Sequence, residues 1–258
     1  MKHSFLDQYS DRDSLIHRLD PRTKLIAVFL FILAVSLTSQ VLWPVFSLYF
    51  VLIAVLVTLS TVPVFYIFKR SLVIIPFVLL ITIFIPFFKE GEPIATFHIW
   101  TWQVSASYFG LQLFITILVK AWLSILSLIV LTSTTTISDL LHGMEQLRLP
   151  RVMVMIFSFM YRYIFVLTDE VMRMRQARDS RNVGGSRLRH VKTVGAMAGT
   201  LFIRSYERGE RVYAAMLSRG YDGHTRTLRR RDFRLADLIF SICIVLVLAA
   251  ACLFNYLH

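Results

Sequence analysis

The chain has 258 residues, 56% hydrophobic, 14% aromatic and 17% charged, with a mean hydropathy of +0.64 and a formal net charge of +12. Soluble domains run at about 45–50% apolar and about 25% charged, so this composition excludes an ordinary soluble domain and points to a polytopic membrane protein. The net charge raises nucleic-acid binding as an alternative, which the placement of the charge has to decide.

Residues 1–24 are polar, and no early apolar run of the signal-peptide kind is present in them. The apolar run from Leu25 to Leu59 is long for one membrane span and tight for two. The polar break Thr38-Ser39-Gln40, followed by Pro44, predicts a sharp turn between two short spans. Ser71 to Phe88 reads as a third span, in which Pro76 and Pro86 are tolerable because neighbouring helices satisfy the freed carbonyls. Tyr108 to Thr132 is a fourth and Leu235 to Leu257 the last. The expected fold is therefore all-α, with about five transmembrane helices. The expected organisation is a cytoplasmic segment (1–24), four spans (25–132), long cytoplasmic helices (133–234) and a final span (235–258).

Basic residues mark the cytoplasmic side of a membrane protein. Arg12, Arg18, Arg22 and Lys24 place the N-terminus inside, and two passes return the chain inside at Lys69-Arg70. Lys89 beside Glu90 and Glu92 suits an outside loop. Between residues 138 and 234 lie 19 of the 28 Lys and Arg residues, so the charge follows membrane orientation and nucleic acid is excluded as a partner. Val152 to Leu167 is apolar enough to cross, but it is short and contains Arg162, costly near a bilayer centre. It is read as a helix at the inner membrane face or packed under other helices. Lys120 stands alone in the fourth span, either at a helix–helix or substrate interface or reaching a nearby polar partner. Cys243 and Cys252 fall in the last apolar run and read as small hydrophobes.

Thr136 or Ser138 can cap a short helix that follows the fourth span. Pro150 then opens a new helix, uninterrupted by glycine or proline from Arg151 to Val183, a rod of roughly 50 Å. Its first half is apolar, its second half is charged, and Gly184-Gly185 ends it. Another helix begins near Lys192; Phe202, Tyr206, Gly209, Tyr213, Met216 and Leu217 predict its buried face. Arg204, Glu207, Arg208 and Arg211 lie on the opposite face, Glu207 and Arg211 as an i,i+4 pair, and Gly220 suits the C-cap. Both helices end in a small residue followed by arginine, at Ala177-Arg178 and Ser218-Arg219, 41 residues apart. Cations stabilise a helix C-terminus by about 0.3–1 kcal/mol. Two such ends on one side of a membrane protein also suit docking, since a small neighbour allows close approach and the guanidinium fork can bond carboxylates or carbonyls in a groove.

With these residues the chain resembles the transmembrane T component of energy-coupling factor (ECF) transporters. The likeness runs through "LIHRLDPRTKLIAV", "LTSTTTISDLL", "MYRYIFVLTDEV" and two signatures, Ala177-Arg178-Asp179 and Ser218-Arg219-Gly220. The segment "LFIRSYERGERVYAAMLSRGYDG" looks most like the cobalt/nickel subfamily, CbiQ or NikQ. The resemblance implies a multi-pass subunit of the bacterial cell (inner) membrane. Two ABC-type ATPase subunits would dock on Arg178 and Arg219, with Ala177, Ser218 and Gly220 allowing close contact, and a membrane S component would capture the solute. Asp179 and Ser218 depart from the family pattern, and Asp179 is expected to pair with Arg175 or Arg181 and weaken the first tip.

The chain has no GxxxxGK[ST] phosphate loop, so it is not expected to hydrolyse ATP. His3, His17, His98, His142, His190, His224 and His258 are scattered, so no resident metal or cofactor is expected, and ligands for a transported cobalt or nickel ion fall to the S component. Two alternatives stay open: a membrane-embedded enzyme with its site near Lys120, Tyr161 and Arg162, and a stand-alone channel or carrier.

Overall fold

The computed structural model describes residues 14–39, 43–88, 93–99, 102–181, 187–222 and 235–257. In chain order the described elements are α1 (Pro21–Leu37), α2 (Trp43–Ser60), α3 (Val64–Leu72), α4 (Ile75–Thr82), α5 (Ile85–Phe88), β1 (Pro93–Ile99), β2 (Trp102–Ser107), α6 (Tyr108–Thr134), α7 (Ile137–Gln146), α8 (Arg151–Ser180), α9 (Arg187–Leu217) and α10 (Leu235–Leu257). The predominantly helical, polytopic class is as expected. The addition is an antiparallel hairpin of β1 and β2, with Phe97 opposite Val104 and Ile99 opposite Trp102. The expectations for Arg12, for Lys89, Glu90 and Glu92, and for the Gly184-Gly185 stop fall outside the described residues.

Residues form two compact units, Lys2–Gly143 with Arg231–His258 and Met144–Arg230. In the first, α6 is the hub, touching α1 to α5. Its core joins Phe31 and Val35 of α1, Tyr49 and Ile53 of α2, Leu123 and Ile129 of α6 and Ile244 of α10. Phe31 and Tyr49 pack edge to face at 5.6 Å. Outward-facing residues such as Phe29, Phe50 and Leu246 are exposed, as lipid-facing side chains are.

The expected turn between the first two spans is present: α1 ends at Leu37 and α2 begins at Trp43. Thr38 Oγ1 donates to the Ala34 carbonyl at 2.8 Å and lies 3.1 Å from the fully buried Tyr49 hydroxyl. With its proton committed to Ala34, Thr38 accepts from Tyr49, so a polar break is satisfied inside an apolar core.

The third span is less regular than expected. Its first two residues, Ser71 and Leu72, close α3, which begins earlier at Val64; turns at 73–74 and 83–84, leading into Pro76 and Pro86, then set off α4 and α5. A proline removes a helix donor and disfavours helical backbone before it, which accounts for both breaks. The basic pair Lys69 and Arg70 lies in the last turn of α3. Gly110 lets α6 pass the second break, since a Cβ there would sit 2.8 Å from the Pro86 Cα.

By length and composition, five described helices can cross a membrane: Trp43–Ser60, Val64–Thr82, Tyr108–Thr134, Arg151–Ser180 and Leu235–Asn255. The set differs from expectation at three places: the third candidate runs Val64–Thr82 rather than Ser71 to Phe88, and so takes in Lys69 and Arg70, and the other two concern α1 and α8. At 17 residues α1 is short for a span, and α8, expected at the membrane face, is long and apolar enough.

Candidate functional site

The unit Met144–Arg230 presents both arginine tips. Pro150 precedes the first residue of α8, where its missing N–H costs nothing. α8 runs for 30 residues, roughly 45 Å. α9 runs back along it: Glu170 of α8 accepts from Arg204 of α9 at 2.5 Å and from Arg173 at 2.7 Å. Further along, the Tyr221 hydroxyl donates to Met155 Sδ. These cross-links fix an antiparallel pair, with the end of α9 beside the start of α8. Arg178 and Arg219 therefore stand at opposite ends of the pair, on the order of 35 Å apart along the axis at 1.5 Å per residue.

The two tips differ in construction. Ala177, Arg178 and Asp179 are still helical, in the last turn of α8, which closes when the Arg181 amide donates to the Arg178 carbonyl. Arg178 donates from Nε (3.0 Å) and Nη2 (2.7 Å) to Asp179 Oδ1. Arg175 Nε lies 3.9 Å from Asp179 Oδ2. The Arg178 guanidinium holds the Asp179 carboxyl below the usual carboxylate range, with smaller help from Arg175 and His190. The expected pairing with Arg175 is thus present, and the closer partner is the signature arginine itself. Only 19% of the Arg178 side chain is exposed.

Ser218, Arg219 and Gly220 lie just beyond α9 in its C-terminal cap. The Tyr221 amide donates to the Met216 carbonyl and the Gly220 amide to the Leu217 carbonyl, both at 3.0 Å. That is the Schellman pattern, with Gly220 at φ +77 in the left-handed position such a cap needs. Ser218 Oγ donates back to Ala215 O at 3.0 Å. Arg219 is exposed, and among the described residues no carboxylate pairs with it. The sequence pointed to Gly220 as a cap but not to Tyr221, whose aromatic ring directly after the glycine was the available signal.

The predicted buried face of α9 stands open within this unit: Phe202 is 72% exposed and Tyr206, Tyr213 and Leu217 are exposed with it. Periodicity reports an apolar stripe and does not say what covers it. The helical pair meets along Leu201, Ser205, Arg208, Val212 and Met216, which are half-buried; Met216 is the member of the predicted face that lies in this seam. The i,i+4 pair Arg211–Glu207 is present at 3.8 Å.

In the other unit, the segment "LDPRTK" is a polar junction of three helices. Asp20 caps α1 through Oδ1 to the Arg22 amide at 3.0 Å, and its own amide donates to Asp237 Oδ1 of α10 at 2.7 Å. Lys24 Nζ donates to Thr134 O (3.1 Å) and Thr135 Oγ1 (3.3 Å) at the exit of α6. Asp20, Lys24 and Asp237 are buried. Of the two capping candidates for α7, Thr136 takes the role, accepting from the Asp139 amide at 3.1 Å. Lys120 donates to Ser36 O (3.0 Å) and Thr38 O (2.7 Å), closing the C-terminal carbonyls of α1, which is the polar-partner reading of that lysine. Among the described residues no group of three His, Cys, Asp or Glu could hold a metal ion.

The chain matches the family described as CbiQ, cobalt transport protein, over residues 12–228. It is 31% identical over 265 residues to the energy-coupling factor transporter transmembrane protein EcfT of Bacillus subtilis, covering 98% of each chain. It is 30% identical over 261 residues to EcfT of Listeria innocua, covering 95% of this chain and 96% of the relative. An uncharacterized protein of Methanocaldococcus jannaschii is 27% identical over 255 residues, 97% of this chain and 86% of the relative. The chain belongs to the CbiQ family, as the membrane-embedded T component of an energy-coupling factor transporter.

Proposed function

We propose that this chain is the non-catalytic coupling subunit of an importer, holding two ABC-type ATPase subunits through Arg178 and Arg219 and passing their motion to a membrane S component. The observation that carries the reading is the placement of the two arginines at opposite ends of one antiparallel helix pair. A lever with a cationic contact at each end suits two separate grooves. Ala177, Ser218 and Gly220 leave room for a partner's surface beside each guanidinium, and ATP hydrolysis belongs to the partners. The tips lie on the cytoplasmic side of the inner membrane, as does the N-terminus, because basic residues crowd 138–234. α8 then rests at the inner face rather than crossing, which spares Arg162 the bilayer centre.

The solute is cobalt, with nickel as the second choice. The support is the family's description and the likeness of the α9 segment to the cobalt/nickel subfamily; the S component sets the choice. The enzyme alternative loses ground because Lys120 already donates to two carbonyls.

The test is co-expression with the ATPase and S subunits encoded beside the gene, followed by purification and radiolabelled cobalt uptake. Arg178→Ala/Arg219→Ala is expected to lose the ATPase subunits and ATP-driven uptake while the membrane fold survives. Retention of both the complex and uptake refutes the docking role. Uptake of neither cobalt nor nickel by the intact complex refutes the solute.

A further inference from the structure

The cleft between α8 and α9 changes character along its length. Toward the end of α9 it is apolar, walled by Met155, Phe159 and Tyr163 of α8 and by Val212 and Met216 of α9. Toward the middle of the pair it becomes polar, walled by Glu170, Arg204 and Arg211. Leu167, Ser205 and Arg208 line both stretches, so the two are continuous. Arg208 stands at the junction, half-buried, and among the described residues no carboxylate pairs with it. Around the polar stretch, Arg173, Arg204, Arg208 and Arg211 face Glu170 and Glu207, an excess of two positive charges.

A ligand that fits this cleft needs an apolar body and an anionic head. We propose that the cleft binds an anionic phospholipid, with an acyl chain along Met155, Phe159 and Met216 and its headgroup phosphate at Arg208 and Arg211. Charge complementarity favours this occupant: a guanidinium at the mouth of an apolar groove matches a phosphate at the head of an acyl chain. Such molecules surround a membrane protein, and the arginine fork bonds phosphate in a bidentate manner. The proposal does not depend on which ATPase or solute the transporter uses.

The experiment is native mass spectrometry of the full-length chain in mild detergent, with added dioleoyl phosphatidylglycerol or dioleoyl phosphatidylcholine. The wild type is expected to retain phosphatidylglycerol in preference to phosphatidylcholine. Arg208→Gln is expected to weaken that preference about five-fold, the share of one basic side chain in attraction to an anionic lipid surface. Gly209→Leu probes the apolar half. Gly209 lines the apolar stretch, a Cβ there meets nothing within 4 Å, and glycine is a poor residue inside a helix, so the variant puts an apolar branch into the groove. It is expected to reduce adducts of both lipids. Lys192→Gln, on α9 outside the cleft, is expected to change nothing. Equal retention of the two lipids by the wild type, or unchanged retention in both Arg208→Gln and Gly209→Leu, overturns the site. Loss of the lipid adduct on adding inorganic phosphate shows a free-anion site instead and also overturns it. So does a Gly209→Leu chain that keeps its lipid while losing a co-purified membrane subunit, since the groove is then a seat for protein.

Discussion

Gly220→Ala tests the architecture of the second tip. At φ +77 an L-residue is strained by about 1–2 kcal/mol. No steric term adds to this, because a Cβ on Gly220 meets no atom within 4 Å. Against the strain stand the two cap hydrogen bonds, Tyr221 to Met216 and Gly220 to Leu217, each contributing about 0.5–1.5 kcal/mol net. Strain and cap nearly cancel, so the alanine variant is expected to leave the cap open roughly half the time. If the capped form is the one that docks, apparent ATPase affinity falls in proportion to the capped fraction, about two-fold. Hydrogen exchange at the Tyr221 amide reads the cap directly, and titration of purified ATPase into the detergent-solubilised chain reads docking. Gly209→Ala is the matched control, in a helix interior with open space around the new Cβ, and it gains roughly 0.5–1 kcal/mol of helix stability. Gly220→Asn is expected to recover part of the loss, because asparagine tolerates the left-handed region. A Tyr221 amide equally protected in the alanine variant and the wild type, with equal ATPase affinity, refutes the reasoning.

Three further outcomes are expected. Lys120→Met strips the donor from two carbonyls at the end of α1 and is expected to destabilise the membrane unit by about 1–3 kcal/mol, read as a lower thermal midpoint in detergent. Asp237→Ala removes the acceptor of the Asp20 amide between α1 and α10; a loss of similar size, about 1–3 kcal/mol, is expected from the same measurement. Asp179→Ala releases Arg178 and is expected to raise ATPase affinity at the first tip. Because the folded-state pKa of Asp179 is lowered, its pairing with Arg178 is complete at neutral pH and is lost only as pH falls through that lowered value. Docking at this tip is therefore expected to be flat between about pH 6 and 8, and a titration in that window contradicts the assignment.

Much of the fold could be read in advance where a residue's backbone chemistry dictates the outcome. Thr38 and Pro44 mark the turn between α1 and α2, Pro150 marks the start of α8, and Gly220 marks the end of α9. Outcomes that depend on a distant partner were not readable. The destination of Lys120 is a pair of carbonyls more than eighty residues away in sequence. Pro76 and Pro86 read as tolerable inside one continuous span, whereas the backbone turns at 73–74 and 83–84 ahead of them. The stripe from Phe202 to Leu217 is apolar, and only coordinates show that α8 packs beside it rather than on it. Both arginines were identifiable from the sequence, whereas their placement at opposite ends of one pair follows from the Glu170–Arg204 and Tyr221–Met155 contacts. Asp179 departs from the family pattern in sequence alone, but its bond to Arg178 depends on the side-chain rotamers at the end of α8.

The central claim is that the two ends of the α8–α9 pair each hold one ATPase subunit. Site-specific photocrosslinking tests it most directly, with Arg178 and Arg219 left in place and the crosslinking residue put beside them, at the exposed position 180, at the exposed position 215, or at both, in the assembled complex. Each single placement is expected to yield one chain joined to one ATPase subunit, and the double placement one chain joined to two. An absence of ATPase crosslinks at either position, or a double placement that never captures a second subunit, contradicts the account.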